Sequence, residues 1–135
     1  MATFNKFNAF VQELAEQAFN LSTDAYVVAL SNTAPSATNT KLSDITEISY
    51  TNLSSRSITI SSHGQTSGTY KLVFSNLVLT ASGTVGPFQY IIIYDNTNVN
   101  KYLVGWFDYG SALTLGNGDT LTLTMDSVNG FLQLT

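Results

Sequence analysis

The chain has no cysteine, a single histidine (His63) and two prolines, and charged side chains make up only 10% of its 135 residues. Without cysteine there is no disulfide framework and no thiolate chemistry, and the redox compartment stays open. One histidine and no cysteine leave too few ligands for zinc. The five basic residues, Lys6, Lys41, Arg56, Lys71 and Lys101, are scattered along the chain. Nucleic-acid binding needs lysine and arginine grouped against phosphates, so no nucleic-acid partner is expected. A net charge of −4 argues equally against an anionic membrane surface. No apolar run approaches the roughly 18 residues of a membrane span. The opening "MATFNKFNAFVQELAEQ" has no basic stretch followed by an apolar block, so it is not expected to be a signal peptide. The reading is a soluble protein made in a cytoplasm.

What is present is equally specific. Serine (15), threonine (18) and asparagine (12) make up a third of the chain, while 44% of it is hydrophobic and 15 residues are Phe or Tyr. Disordered chains are poor in aromatic and β-branched residues, so this one folds. A weakly charged, Thr-rich and aromatic-rich sequence suits a β protein, and such surfaces are often covered by neighbours in an assembly. The length fits one domain able to bury about two-thirds of its unfolded surface.

Residues 3–19 read as the only helix. Thr3 is the expected N-cap and Asn20 the expected stop. Apolar residues fall at Phe4, Phe7, Val11, Leu14 and Ala18, a heptad-like seam flanked by Phe10 and Ala15. After Asn20 the period changes to two. Strands are expected at 25–30, 56–62 and 69–75, with "HGQTSG" (63–68) and "ASGTVG" (81–86) as loops. "LSDITEI" (42–48) fits either a helical turn or a short strand. "PFQYIIIYD" and "KYLVGWFDYG" form a hairpin across "NTNVN" (96–100). "ALTLGNGDTLTLTM" reads as a second hairpin around Gly116–Asp119. "SVNG" (127–130) is a turn before a short last strand. About eight closely spaced strands give a mainly β fold, an antiparallel β-sandwich or jelly-roll-like domain with one N-terminal α-helix. Residues 1–20 form the helix, packed on the body or on a neighbour, and residues 21–135 form the sandwich, one domain overall.

In "YIIIY" (90–94) five large apolar or aromatic residues follow one another. Ile91 and Ile93 are expected on one face and Tyr90, Ile92 and Tyr94 on the other, with neither face freely solvated. The second face should be covered by the N-terminal helix or by a neighbouring chain.

No catalytic constellation is legible. His63 sits in a Gly-flanked stretch without an orienting partner. Asp95, Asp108, Asp119 and Asp126 fall at strand ends and turns, where Asx turns explain them better than calcium ligation. Glu13 and Glu16 read as a solvated helix face rather than an acid/base pair. "GNGD" and "SGTVGP" lack the lysine and following helix of a phosphate loop. In "GWFDYG", alternation puts Trp106 with Asp108 on one face and Phe107 with Tyr109 on the other. No enzyme, cofactor or metal is expected.

"SNTAPSATNTKLSDITEI", "GPFQYIIIYDNT", "LVGWFDYGSALTLGNGDTLTL" and the terminal "NGFLQL", in that order behind "FNKFNAFVQELAE", resemble a family of small virion proteins of tailed bacteriophages. "SYTNLSSRS" (49–57) departs from the family pattern by lacking a Gly-rich turn. The resemblance implies a capsid decoration, or cement, protein on an icosahedral head, located at the capsid surface of the virion and in the host cytoplasm before assembly. Its implied partners are the major capsid protein and itself, as a homotrimer at a threefold position. Phe4, Phe7, Val11, Leu14 and Ile92 are the candidate oligomer or capsid interface residues. Two alternatives stand beside this reading: a tail, fibre or baseplate component, and a carbohydrate-binding β module using exposed aromatics.

Overall fold

A computed structural model describes residues 4–135. The fold is mainly β, with antiparallel pairing throughout and one helix near the N-terminus. Strands β1 (Phe4–Lys6), β2 (Tyr26–Ser31), β3 (Ser57–Ile58), β7 (Val85–Asp95) and β8 (Leu103–Leu115) form a five-stranded sheet in the order β1-β8-β7-β2-β3. Strands β4 (Ile60–Thr66), β5 (Thr69–Phe74) and β10 (Leu132–Leu134) form a second sheet, and β6 (Leu77–Thr80) pairs with β9 (Thr120–Leu123). The main core lies between these layers and joins Phe10 and Phe19 to Tyr26, Phe74, Phe88, Ile91 and Ile93. The result is β-sandwich-like.

The helix is shorter than the apolar spacing predicts. Helix α1 covers Asn8–Ala15, not 3–19. Thr3, the expected N-cap, lies outside the described residues. Phe4–Lys6 instead pairs with β8, Phe4 opposite Phe107 and Lys6 opposite Gly105. Spacings of three and four between Phe4, Phe7 and Val11 fit a helix, but the open edge of β8 offers ladder hydrogen bonds to residues that a helix start would leave unpaired. Phe7 is extended and donates its N–H to Val104 O at 3.2 Å. The helix also ends before Asn20. Gln17 adopts a left-handed φ of 68°, and Ala18 and Gln17 donate to Glu13 O and Leu14 O, a Schellman closure.

Strand β7 is central, flanked by β2 and β8. Its two faces divide as alternation predicts. Ile91 and Ile93 enter the main core, whereas Ile92 and Tyr94 join a second cluster with Phe7, Val27, Ala29 and Leu103, against which Tyr90 packs. Leu42 and Ile45, in and after the 3₁₀ turn Leu42–Asp44, pack on this cluster together with Trp106. The second face is therefore closed within the chain, by Phe7 and the 42–45 segment. The helix proper faces the main core instead, through Phe10 and Leu14, and Ala18 just past its end joins them.

Ten strands occur among the described residues rather than about eight, Val85 and Gly86 of the expected 81–86 loop open β7, and two further turn assignments change. His63 to Thr66 belong to β4, so the loop between β4 and β5 shrinks to Ser67 and Gly68. Gly116–Asp119 does form a turn, with Asp119 N donating to Gly116 O at 3.0 Å. Its flanking strands do not pair with each other: β8 stays with β7 and β9 joins β6. Bonds from Gly118 N to Ala81 O and from Ala81 N to Asp119 O tie the turn to the end of β6 instead. It is a corner between sheets, not a hairpin.

Candidate functional site

The five expected interface residues do not form one seam. Phe7 and Ile92 are fully buried within the chain, in the second cluster. The Phe7 ring lies 4.6 Å from Trp106. Leu14 is half-buried against the main core. Val11 is 52% exposed. Phe4 alone reaches a surface feature with shape.

That feature is an apolar groove. One part, of about 320 Å³, is lined by residues that include Phe107 and Tyr109 of β8 and Leu121 and Leu123 of β9. A second part, of about 270 Å³, continues past Phe107 to Phe4 and Phe131. Thr124 and Met125 line both. Three rings build the inner end: Phe4 lies 5.2 Å from Phe107 and 4.9 Å edge-on from Phe131. Phe4 can sit there because residue 105 is glycine; an added Cβ would collide with its ring. Tyr109 is 48% exposed at the outer end. Phe107 and Tyr109 share this groove while Trp106 packs on Phe7, the split that alternation predicts.

Beside the groove, β8 outruns its edge partner. β1 covers Gly105–Phe107. Between residues 111 and 115, β8 pairs with β7 at Leu113 and Leu115 and meets no strand on its other side among the described residues. An unpaired strand edge presents ready donors and acceptors.

The groove carries little chemistry. Asp126 is the only acidic or basic side chain among its described lining residues, and that carboxylate accepts hydrogen bonds from Val128 N and Asn129 N at 2.9 and 2.8 Å. These bonds hold it below the usual carboxylate range. Asp108 Oδ1 accepts from Gly110 N in an Asx turn, whereas Asp119 Oδ2 accepts from Gly116 N at the start of its own turn. His63 is exposed on β4. It lines a shallow bowl with Gln17, Phe19, Asn20, Leu21, Ser22, Tyr70 and Leu134. No group of three or more His, Cys, Asp or Glu side chains that could hold a metal occurs among the described residues. None of the described helices is long and apolar enough to cross a membrane.

Sequence reasoning missed one polar cluster. Asp95 is fully buried, and so is Tyr26, directly opposite it on β2. Asp95 Oδ1 accepts from Thr97 N at 2.8 Å, the expected Asx turn. Its Oδ2 and the Tyr26 hydroxyl are buried without a partner. Burial first, and contact with Asp24 second, push the Asp95 carboxyl up to about 7. Burial likewise pushes the Tyr26 phenol up, with Asp95 and Asp24 adding to the effect.

Comparison with family models, curated proteins and solved structures found no match.

Proposed function

We propose that this protein is a structural virion component that decorates and cements the capsid of a tailed bacteriophage, as a homo-oligomer, without catalysis. The observation that carries the reading is the pairing of an apolar groove with the free edge of β8. An extended segment of a partner could add to that edge by main-chain hydrogen bonds while its alternate side chains enter the groove. The lining is aromatic, aliphatic and threonine, suited to burial rather than turnover. The sequence resemblance to phage decoration proteins and the weakly charged surface point the same way. A trimer fits a threefold position on an icosahedral shell, with the major capsid protein as the second partner.

The test combines light scattering with electron microscopy of undecorated heads incubated with purified protein. Wild type should oligomerise and add density to the heads. Tyr109→Lys and Leu121→Lys, both at incompletely buried positions, should remain folded by circular dichroism and lose that binding. Binding to tail structures but not heads would favour a tail, fibre or baseplate role. Folded variants that still decorate heads would overturn the groove as the contact.

The bowl beside Tyr70 supports a second reading, a carbohydrate-binding module. Its ring, amide and hydroxyl groups, with no Asp, Glu, Lys or Arg in the lining, suit a neutral polyhydroxyl ligand. A glycan array with Tyr70→Ala as control tests it.

A further inference from the structure

We propose that Asp24 and Asp95 share one proton across a carboxyl–carboxyl contact, and that this proton latches the segment leaving α1 to the turn after β7. The pair comes from two places far apart in sequence. Asp95 ends β7, and Asp24 precedes β2. Asp95 has no solvent exposure. Its Oδ1 is occupied by Thr97 N and Asn98 N at 2.8 and 3.4 Å. Its Oδ2 has no donor from the rest of the chain, yet its carboxyl is in hydrogen-bond contact with that of Asp24. Asp24 Oδ2 in turn accepts from Asn20 N at 2.8 Å. Two ionised carboxylates are acceptors only. A hydrogen bond between them requires that one be protonated, and two ionised carboxylates so close, the Asp95 one without solvent, would repel.

The surroundings offer no cation in place of the proton. From β2 the facing group is the Tyr26 phenol, and behind it from β5 stands Tyr70, a second phenol that acts on Tyr26. Beside the turn after β7, Lys101 gives its ammonium to Asn96 O at 2.9 Å. Arg56 and Lys71 are engaged by carbonyls of Val28 and Val128.

The same contact joins two loops. Ala25 N donates to Thr97 Oγ1 at 2.7 Å, and Asn96 N to Ala25 O at 2.7 Å. Asn98 Nδ2 reaches Ala18 O at 3.4 Å. Loss of the shared proton places repulsion at the centre of this zipper, so the 18–25 segment loosens in alkaline solution. The sign follows from linkage. The folded carboxyl titrates above its unfolded value of about 3.9, so the folded state binds the extra proton. Its stabilising effect is full below that unfolded value and is lost progressively as the pH rises from there to about 7.

The experiment is a ¹³C carboxyl NMR titration of the whole chain, with melting temperature and amide exchange followed from pH 5.5 to 8.5. One of the two carboxyls should titrate close to neutrality. The melting temperature should fall up to about pH 7 and level off above it, and amides 20–25 should lose protection beyond the intrinsic pH effect. Asp95→Asn keeps the shape, accepts from Thr97 and Asn98, and donates toward Asp24, so it should flatten the melting profile. If that variant does not fold, Asp24→Asn carries the same comparison, and the titration needs no variant. Both carboxyls titrating below pH 5, or an undiminished pH dependence in the folded variants, overturns the proposal. So does calcium raising the melting temperature of wild type at pH 8.5 but not that of Asp95→Asn, which would make the pair a cation site.

Discussion

The rings of Phe7 and Trp106 lie 4.6 Å apart at 48°, and with this contact a residue between β1 and α1 helps seal the second face of the five-stranded sheet. Phe7 has no exposed surface and packs in the cluster containing Ile92, Tyr94 and Leu103. Phe7→Ala should therefore cost about 3–5 kcal/mol, as truncations of buried aromatics do. Phe7→Asp should abolish the fold, because it strands an unpaired charge in an apolar cluster. Val11→Asp, on the exposed side of α1, should stay within about 0.5 kcal/mol of wild type. Urea unfolding of the three variants checks the order. A natively folded Phe7→Asp monomer would move Phe7 from the chain's own core to an interface between chains.

How far the sequence discloses this arrangement depends on the range of the interactions involved. The two faces of "YIIIY" are legible because strand periodicity is local, and Ile91 and Ile92 do enter different clusters. The start of α1 is not legible. Phe4, Phe7 and Val11 satisfy helical spacing, and the ladder to residues 105–107 that overrides it lies a hundred positions away. "GNGD" announces a turn and delivers one, but the choice between pairing β9 with β8 or with β6 is tertiary. The groove is half legible, since alternation puts Phe107 and Tyr109 together, while Leu121 arrives from β9 and Phe131 from the bend before β10. Asp95 reads as a turn residue and is one. Its burial against Asp24 has no local signature at all.

Gly105 and Phe4 form a testable couple. An added Cβ at 105 would stand 2.5 Å from Phe4 Cε2 and 2.6 Å from Asn5 O, too close on both counts. Gly105→Ala should cost about 1–3 kcal/mol by overpacking, and the amides of β1 should lose exchange protection. Phe4→Ala alone removes ring contacts with Phe107 and Phe131. In the double variant the smaller side chain at position 4 relieves part of the clash, so the combined loss should be less than the sum of the two. Strict additivity would show that the two positions do not touch.

The acid limb of stability should follow the turn carboxylates. Backbone N–H groups of Thr40 and Lys41 hold Asp44 below its ordinary range, and those of Asn129 and Val128, with the Asn129 side chain, do the same for Asp126. A lowered folded value means that the unfolded chain takes up protons first. The stabilising effect is present above about pH 4 and is lost as the pH falls through the folded values. Asp95 acts in the opposite sense, losing its stabilising effect between its unfolded value of about 3.9 and its folded value of about 7, so stability should peak near about pH 4 and decline toward pH 7. Asp126→Asn should make the melting temperature less sensitive to acid below pH 4 while leaving the alkaline side unchanged. An unchanged acid limb in that variant would remove the turn at 126–129 from the account.

The tip of the β4–β5 hairpin gives a prediction in which stability should rise. Thr66 pairs with Thr69, so Ser67 and Gly68 alone make the turn, with φ of 51° and 83°. Two-residue hairpin loops favour turns whose twist matches that of the strands, and the type with positive φ at both central positions prefers Asn-Gly. Serine at 67 is thus in a region that costs it more than it would cost asparagine. Ser67→Asn should stabilise the protein by a few tenths of a kcal/mol. Gly68→Ala forces a Cβ into the same region and should cost about 1 kcal/mol, although no atom stands within 4 Å of the added carbon. Because there is no clash, any loss at Gly68 comes from backbone conformation alone. Residues 61–68 are exposed, so neither change disturbs the core. Thermal melts of the two single variants should bracket wild type, with Ser67→Asn above and Gly68→Ala below. A reversed order would mean that the turn is held by contacts at its flanks, such as the Gly68 N–H bond to Gln65 Oε1 at 3.2 Å, rather than by the conformational preference of its two central residues.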